Sequence, residues 1–206
     1  TSQGVRVDTT GPDTSWAFVK DVTCGNLASD TDYARLGSIT SLVIVVGGLS
    51  DPESGDTFTY AFAFGTAKDP EKILPFSPPQ DSTKIYNVGV NTTFEPGILY
   101  VATVSACNRV GRCSLVMSDG ITFDNSPSEI GAILDGSSAL DIDYQSNTTT
   151  LCGLWQNISD AESSILYHEV AFGICDSAEI LQFVNVGLDQ KFCFQELALK
   201  LRHAYC

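Results

Sequence analysis

The chain has 206 residues, of which 43% are hydrophobic, and this is enough apolar material for one large or two small packed domains. It carries 25 acidic residues against 11 basic ones, and the net charge of -14 argues against nucleic-acid and anionic-membrane partners, which need a basic surface. No apolar run approaches the ~20 residues of a membrane-spanning helix, so we expect no membrane insertion in this segment.

The predicted elements are short strands separated by turns, and no segment has the sustained 3.6-residue apolar period of a helix. Ser41–Leu49 is an apolar run of strand length. Thr57–Gly65 alternates, with four aromatic residues on one face, a pattern that favours core packing over a sugar-binding platform. Leu99–Ala106 alternates similarly, and Ser118–Asp124 is typical of a turn followed by an exit strand. Such a series predicts a β-sandwich.

The same phrases recur at a distance of about 110 residues, which is the length of a whole small domain. The chain therefore contains the same predicted domain twice. The matching segments are Val5–Pro12 with Ile121–Pro127, Asp30–Tyr33 with Asp141–Tyr144, Leu49–Thr66 with Ile158–Ile174, Ile73–Phe76 with Ile180–Phe183, and Ile98–Cys107 with Arg202–Cys206.

Seven cysteines occur, none in a C-x-x-C pair or at a spacing typical of zinc ligands. The segment ACNRVGRC predicts a hairpin closed by a Cys107–Cys113 disulfide. Cys175 and Cys193 flank a short strand and could pair, and Cys152 and Cys206 could pair across the sandwich. Cys24 is then left over, either unpaired or bonded to another chain. Spacing alone does not fix this connectivity.

Three N-glycosylation sequons begin at Asn91, Asn147 and Asn157. On an acidic chain with seven cysteines, they predict a glycoprotein that is secreted or exposed at the cell surface. The alternative is that these asparagines are unmodified and lie in turns.

Pairs of acidic residues recur in step in both predicted domains. We favour turn capping, in which an aspartate accepts hydrogen bonds from nearby backbone N–H groups. The other open interpretation is a calcium site, because hard cations bind clustered carboxylates; no other cofactor is expected. The residues concerned are Asp30, Asp32, Asp51, Glu53, Asp141, Asp143, Asp160 and Glu162.

The motifs of common enzymes are missing from the sequence. The two histidines, His168 and His203, have no nucleophile motif in context, and the glycine pairs lack the lysine and the helix of a phosphate-binding loop. The sequence therefore predicts a protein without catalytic residues.

The order D-x-D-Y, S-D-x-E-S, F-G, I-L-x-F, A-C-N-R-V-G and S-D-G-I-T-F-D-N-S-P resembles fibronectin type III-like, immunoglobulin-like repeats. Similar repeats occur in tandem in very large extracellular proteins of the mastigoneme or adhesin type. The resemblance implies an all-β fold of tandem sandwiches: residues 13–123 form the first, and 124–206 form a second that is incomplete at its C-terminus. Residues 1–12 then resemble the exit strand and linker of a preceding unit.

The resemblance implies a non-enzymatic structural module of a long secreted glycoprotein array, such as a filament, stalk or extracellular hair. Its partners would be neighbouring repeats, other copies in an assembly and N-linked glycans. Pro12 and Pro127 end short linkers, which we expect to be stiff. The incomplete second sandwich and Cys24 are the candidate contacts between chains. The alternative is a ligand-binding ectodomain segment of a cell-surface receptor or adhesin.

Overall fold

The computed structural model describes residues 4–23, 29–35, 42–86, 94–175 and 183–206. Every regular element in these ranges is a β-strand, which confirms the all-β prediction. The chain divides into two compact units, Thr1–Asn125 and Ser126–Cys206. Within the described ranges, no helix is long and apolar enough to span a membrane.

The described part of the first unit contains eight strands in two sheets. One sheet has the order β1-β3-β5, and the other has the order β2-β8-β6-β4, with β7 also paired to β6. The β2–β8 pair is parallel, whereas the remaining pairs are antiparallel. The strands are β1 (Phe18–Thr23), β2 (Tyr33–Arg35), β3 (Leu42–Gly47), β4 (Thr59–Gly65), β5 (Lys84–Tyr86), β6 (Leu99–Cys107), β7 (Cys113–Met117) and β8 (Ile121–Asp124).

Alternate residues of both sheets form one apolar core, which makes the first unit a β-sandwich. Ile44 and Val46 of β3 belong to it, together with Phe64 of β4 and Tyr100 of β6. The aromatic face predicted for Thr57–Gly65 is buried in this core, so it is not a sugar-binding platform. Burying each large aromatic side chain stabilises the fold through the apolar area that it removes from water.

The second unit contains β9 (Ala132–Asp135), β10 (Leu151–Gln156), β11 (Glu169–Val170), β12 (Val184–Asn185) and β13 (Lys191–Phe194). Its larger sheet has the order β9-β10-β13, and β11 pairs with β12. Trp155 and Phe172 are buried, and Gly153 makes room for the Phe172 ring, whose Cζ would lie 3.2 Å from a Cβ at that position.

Each unit has a tyrosine whose hydroxyl binds the backbone five residues upstream. Tyr100 Oη accepts a hydrogen bond from the Glu95 N–H, at 2.9 Å. Tyr205 Oη accepts one from the Lys200 N–H, also at 2.9 Å. A hydrogen bond of this kind fixes the turn that leads into a strand of immunoglobulin-like sandwiches.

The structure contains the Cys107–Cys113 disulfide between directly opposed residues of β6 and β7, with their Cα atoms 4.0 Å apart. The other two predicted pairings, Cys175–Cys193 and Cys152–Cys206, are wrong. Cys152 bonds to Cys193, because β10 and β13 are neighbours in one sheet and place these residues opposite each other. Cys175 bonds to Cys206, because Gly173–Cys175 pairs with Ala204–Cys206. Cys24 lies outside the described residues.

Candidate functional site

The acidic turn of the first unit, Ser50–Ser54, is organised by Asp51. Asp51 Oδ1 accepts hydrogen bonds from the Glu53 N–H at 3.0 Å and the Ser54 N–H at 2.9 Å. The Ser54 N–H, followed by the Asn108 side chain, lowers the pKa of Asp51 below its usual value. This is the geometry of turn capping, and it keeps the buried Asp51 carboxylate charged.

Glu53 binds the chain that enters the unit, which we define as the first entry segment, Asp8–Pro12. Its Oε2 accepts hydrogen bonds from the backbone N–H groups of Thr9 at 2.9 Å and Thr10 at 3.0 Å, and from the Thr10 hydroxyl at 2.8 Å. The Thr9 N–H, first, and the Thr10 groups lower the pKa of Glu53. A single carboxylate thus fixes two consecutive peptide units.

Asn108 joins the entry segment to the acidic turn, and it lies in the disulfide hairpin Cys107–Cys113. Its Nδ2 lies 2.9 Å from Asp8 Oδ2, 3.0 Å from the Thr10 carbonyl and 2.9 Å from Asp51 Oδ2. Two amide hydrogens therefore serve three acceptors. Its Oδ1 accepts from the N–H groups of Val110 and Arg112, which fixes the amide orientation.

Asn108 was not among the functional residues predicted from the sequence, although the disulfide of its hairpin, Cys107–Cys113, was. The available signal was an asparagine directly after the first cysteine of a predicted hairpin, a position from which its side chain can bind the loop backbone. The long-range partners of Nδ2 had no sequence signal, because they lie 57 to 100 residues away.

Gly11 and Pro12 of the entry segment lie against β7. The Ser114 hydroxyl donates to the Pro12 carbonyl at 2.7 Å. A Cβ at position 11 would lie 2.8 Å from Ser114 Oγ and 3.0 Å from the Cys113 carbonyl oxygen, so only glycine fits without displacement. The entry segment is therefore held along its length by contacts with its own unit.

The second unit repeats this arrangement in its acidic turn, Ser159–Ser163. Asp160 Oδ1 accepts from the N–H groups of Glu162 at 2.9 Å and Ser163 at 2.8 Å. Glu162 Oε2 accepts from the Ser126 N–H at 3.0 Å and the Ser126 hydroxyl at 3.1 Å. We define Ser126–Ser128 as the second entry segment.

The D-x-D-Y acids also make matching contacts in both units. Asp30 Oδ1 accepts from the Asp21 N–H at 2.8 Å, and Asp141 Oδ1 accepts from the Asp135 N–H at 2.7 Å. The carbonyl of Asp32 accepts from the Thr122 N–H. Burial, first, and then the charges of Asp141 and Asp143 raise the pKa of Asp135.

The eight acids do not assemble into a metal centre in this structure. Among the described residues, no three histidine, cysteine, aspartate or glutamate side chains are grouped so that they could hold a metal ion. The oxygens of Asp51, Glu53, Asp160 and Glu162 instead accept hydrogen bonds from the protein. The calcium site stays a prediction without support from this geometry.

Asp21 is the most buried acid of the first unit and lies on β1 opposite Ile44, on the core side of its sheet. Neither carboxyl oxygen has a hydrogen-bond partner. Burial, first, raises its pKa to about 7, and the charges of Asp30 and Asp119 add to the rise. The Ser118 hydroxyl opposes this rise without forming a hydrogen bond to the carboxyl group, and it offsets only part of the effect of burial.

Two of the predicted glycosylation sites are exposed. Asn147 Oδ1 accepts from the backbone N–H and the hydroxyl of Thr149, the threonine of its own sequon. Asn157 is exposed and has φ of 55°. Asn91 lies outside the described residues. Glycosylation itself stays a prediction.

The second unit has an open depression of about 300 Å³ beside Trp155, lined also by Asp189 and Lys191. His168 lies nearby, with Nδ1 3.1 Å from Trp155 Nε1 and 2.9 Å from the Asp189 carbonyl oxygen. These contacts tie the histidine to the Trp155 side chain and to the backbone at Asp189. The described lining has a single carboxylate, and a pair would be needed for glycosidase-type acid–base chemistry.

No protein-family model and no curated protein sequence matches the chain. Among solved structures, the FN1–FN3 domains of chicken CNTN1 are similar at 15% sequence identity, with a TM-score of 0.36. The likeness covers 98% of this chain and 63% of that chain. The fold assignment given above rests on the strand pairing alone.

Proposed function

We propose that the chain is a non-enzymatic structural module of a long secreted glycoprotein array, built from two tandem fibronectin type III-like repeats. The observation that carries this proposal is the repeated binding of an entry segment by an acidic turn. Glu53 accepts from Thr10, and Glu162 accepts from Ser126, with the same backbone and hydroxyl donors.

Fixed entry segments suit a load-bearing role. A linker whose N–H groups bind its own unit has few conformations, and a proline in the linker removes more of them. Pro12 and Pro127 occupy such positions. Tension applied to the chain then acts on folded sandwiches through short connections rather than stretching a flexible tether.

The proposed compartment follows from the chemistry of the side chains. The described residues form three disulfides, and such bonds persist mainly in oxidising compartments. The acidic surface and the exposed sequons at Asn147 and Asn157 suit a secreted or cell-surface glycoprotein. Neighbouring repeats, other copies and N-linked glycans are its proposed partners.

Electron microscopy of native material, without denaturant, tests this function. We expect regular filaments or stalks whose axial repeat is a multiple of one sandwich length, roughly 35–40 Å for about ten strand residues. Isolated, flexible, membrane-attached molecules would contradict the structural role and favour a receptor or adhesin ectodomain.

A further inference from the structure

One imidazole nitrogen of the second unit has two partners that need opposite protonation states. His168 Nδ1 lies 3.1 Å from the Trp155 indole nitrogen, which can only donate a hydrogen bond. It also lies 2.9 Å from the Asp189 carbonyl oxygen, which can only accept one. Without a proton Nδ1 binds the indole, and with a proton it binds the carbonyl. The two contacts therefore exclude each other.

Trp155 and His168 belong to different sheets. Trp155 lies on β10, and its backbone N–H donates to the Gln190 carbonyl just before β13. His168 directly precedes β11 and continues the pairing with β12, because its N–H donates to the Gly187 carbonyl and its carbonyl accepts from the Val186 N–H. The two rings also meet edge to face, with centroids 5.7 Å apart. We define the indole–imidazole hydrogen bond between these sheets as the sheet clasp.

The first unit has no polar pair at the matching positions. Val46 lies five residues before the aspartate of its acidic turn, as Trp155 does, and Tyr60 lies four residues before the F-G pair, as His168 does. Both Val46 and Tyr60 are buried in the apolar core of the first unit. The sandwich therefore does not need a titratable contact at this place, and the sheet clasp is a feature of the second unit alone.

The neutral histidine is expected to bind the indole rather than the carbonyl. Trp155 is 6% exposed, so its indole N–H has little access to water, and an unpaired buried donor is costly. Asp189 is an exposed residue, so its carbonyl can bind water instead. In the neutral state the proton therefore lies on Nε2, and Nδ1 accepts from Trp155.

Protonation reverses this choice. An imidazolium has a proton on both nitrogens, so Nδ1 can no longer accept a hydrogen bond. Its new N–H instead donates to the Asp189 carbonyl, which is already within hydrogen-bond distance. The indole N–H of Trp155 then faces another N–H and loses its partner.

The charged side chains near the clasp are few. Asp189 and Lys191 line the depression beside Trp155, and they have opposite charges. Glu169 follows His168 in the chain. The strand β10 has no ionisable side chain except the disulfide-bonded Cys152, and β12 has none.

We propose that the sheet clasp is a proton-operated switch, closed while His168 is neutral and open when His168 binds a proton. Opening transfers Nδ1 from the indole of one sheet to the Asp189 carbonyl and leaves the two sheets of the second unit without this hydrogen bond. Histidine is the side chain that ordinarily changes charge near physiological pH, so mild acidification operates the switch.

NMR of the full chain, with isotope-labelled histidine and tryptophan, tests the switch between about pH 8 and about pH 5. At the higher pH we expect an unprotonated Nδ1 on His168 and an indole N–H of Trp155 that is protected from hydrogen exchange. At the lower pH we expect both imidazole nitrogens to be protonated. The protection of the Trp155 indole, corrected for the intrinsic exchange rate, should then be at least about tenfold lower. Trp16, which is 85% exposed, supplies an unprotected reference signal.

Three variants separate the switch from a general effect of pH. His168→Asn keeps an acceptor oxygen near the position of Nδ1 but does not titrate, so the indole protection should be equal at both pH values. His203→Asn, the same change at the other histidine, should leave the wild-type response intact. Trp155→Phe removes the indole donor, and neutral His168 should then carry its proton on Nδ1.

A neutral wild-type His168 with its proton on Nδ1 would overturn the proposal. A His168 that stays neutral at the lower pH would also overturn it, as would an indole protection that is unchanged when His168 becomes protonated. These readouts concern a single chain, so they are independent of the proposed structural role.

Discussion

Asp21 shows how one residue makes the stability of the first unit depend on pH. The unfolded chain loses this proton near the usual value of 3.8, whereas the folded unit holds it up to about pH 7. Between these values the folded state binds more protons than the unfolded state. Stability therefore falls as the pH rises through this window.

We expect the free energy of unfolding of the first unit to decrease by roughly a few kcal/mol between pH 4.5 and pH 7.5, because the buried Asp21 carboxyl must ionise. Urea denaturation at several pH values measures this decrease. Asp21→Asn should remove most of the dependence, whereas Asp81→Asn, a change at an exposed acid, should leave it intact. A flat profile in the wild-type chain would contradict this description of Asp21.

The stability of the first unit also depends strongly on Asn108. Asn108→Ala removes the donor to Asp8, Thr10 and Asp51, and it leaves the nearly buried Asp51 without one of its partners. We expect a loss of about 1–3 kcal/mol in the free energy of unfolding, measured by urea denaturation. Val110→Ala, at the exposed tip of the same hairpin, should cost under about 0.5 kcal/mol. Equal losses would show that the hairpin, and not the amide, carries the effect.

At the scale of elements, the disulfides differ in the length of chain that they close. Cys107–Cys113 spans 6 residues, and Cys152–Cys193 spans 41. In the chain-entropy model, replacing each pair by alanine costs about 2 kcal/mol for the short loop and about 4 kcal/mol for the long one. Thermal denaturation of the two double variants checks this order. A larger loss of stability on replacing Cys107 and Cys113 would mean that this disulfide stabilises the unit more by positioning Asn108 than by restricting the unfolded chain.

The strands were predictable from sequence, but the cross-strand disulfides of the second unit were not. Alternation in Thr57–Gly65 and Leu99–Ala106 identifies buried faces, because side chains point to opposite sides of a strand. Pairing Cys152 with Cys193 instead needs the knowledge that β10 and β13 are neighbours, with these two residues opposed. That register depends on contacts between segments about 40 residues apart, which no local pattern encodes.

The acidic turn was predictable in part. The S-D-x-E-S pattern predicts that an aspartate caps its own turn, and Asp51 and Asp160 both do so. The partner of the glutamate was not predictable, because Thr10 lies 43 residues before Glu53. The recurrence of the S-D-x-E-S motif in both units was the sequence signal that its aspartate and glutamate act together.

At the scale of the whole molecule, the matching contacts recur in each unit despite sequence differences. β1-β3-β5 and β9-β10-β13 have the same order, and each unit has its own acidic turn and entry segment. A module that fixes its own entry segment can be repeated without depending on the identity of its neighbour. This property is what we expect of a structural array.

Amide hydrogen exchange of the entry segments tests this account most directly. We expect protection of the Thr9 and Thr10 amides in the wild-type chain, and at least about tenfold faster exchange in Glu53→Gln, because a neutral amide oxygen accepts more weakly than a carboxylate. Ser126 should be unaffected in that variant, and Glu162→Gln should show the reverse pattern. Unprotected amides in the wild-type chain, or protection that survives both substitutions, would contradict the claim that the acidic turns hold the entry segments.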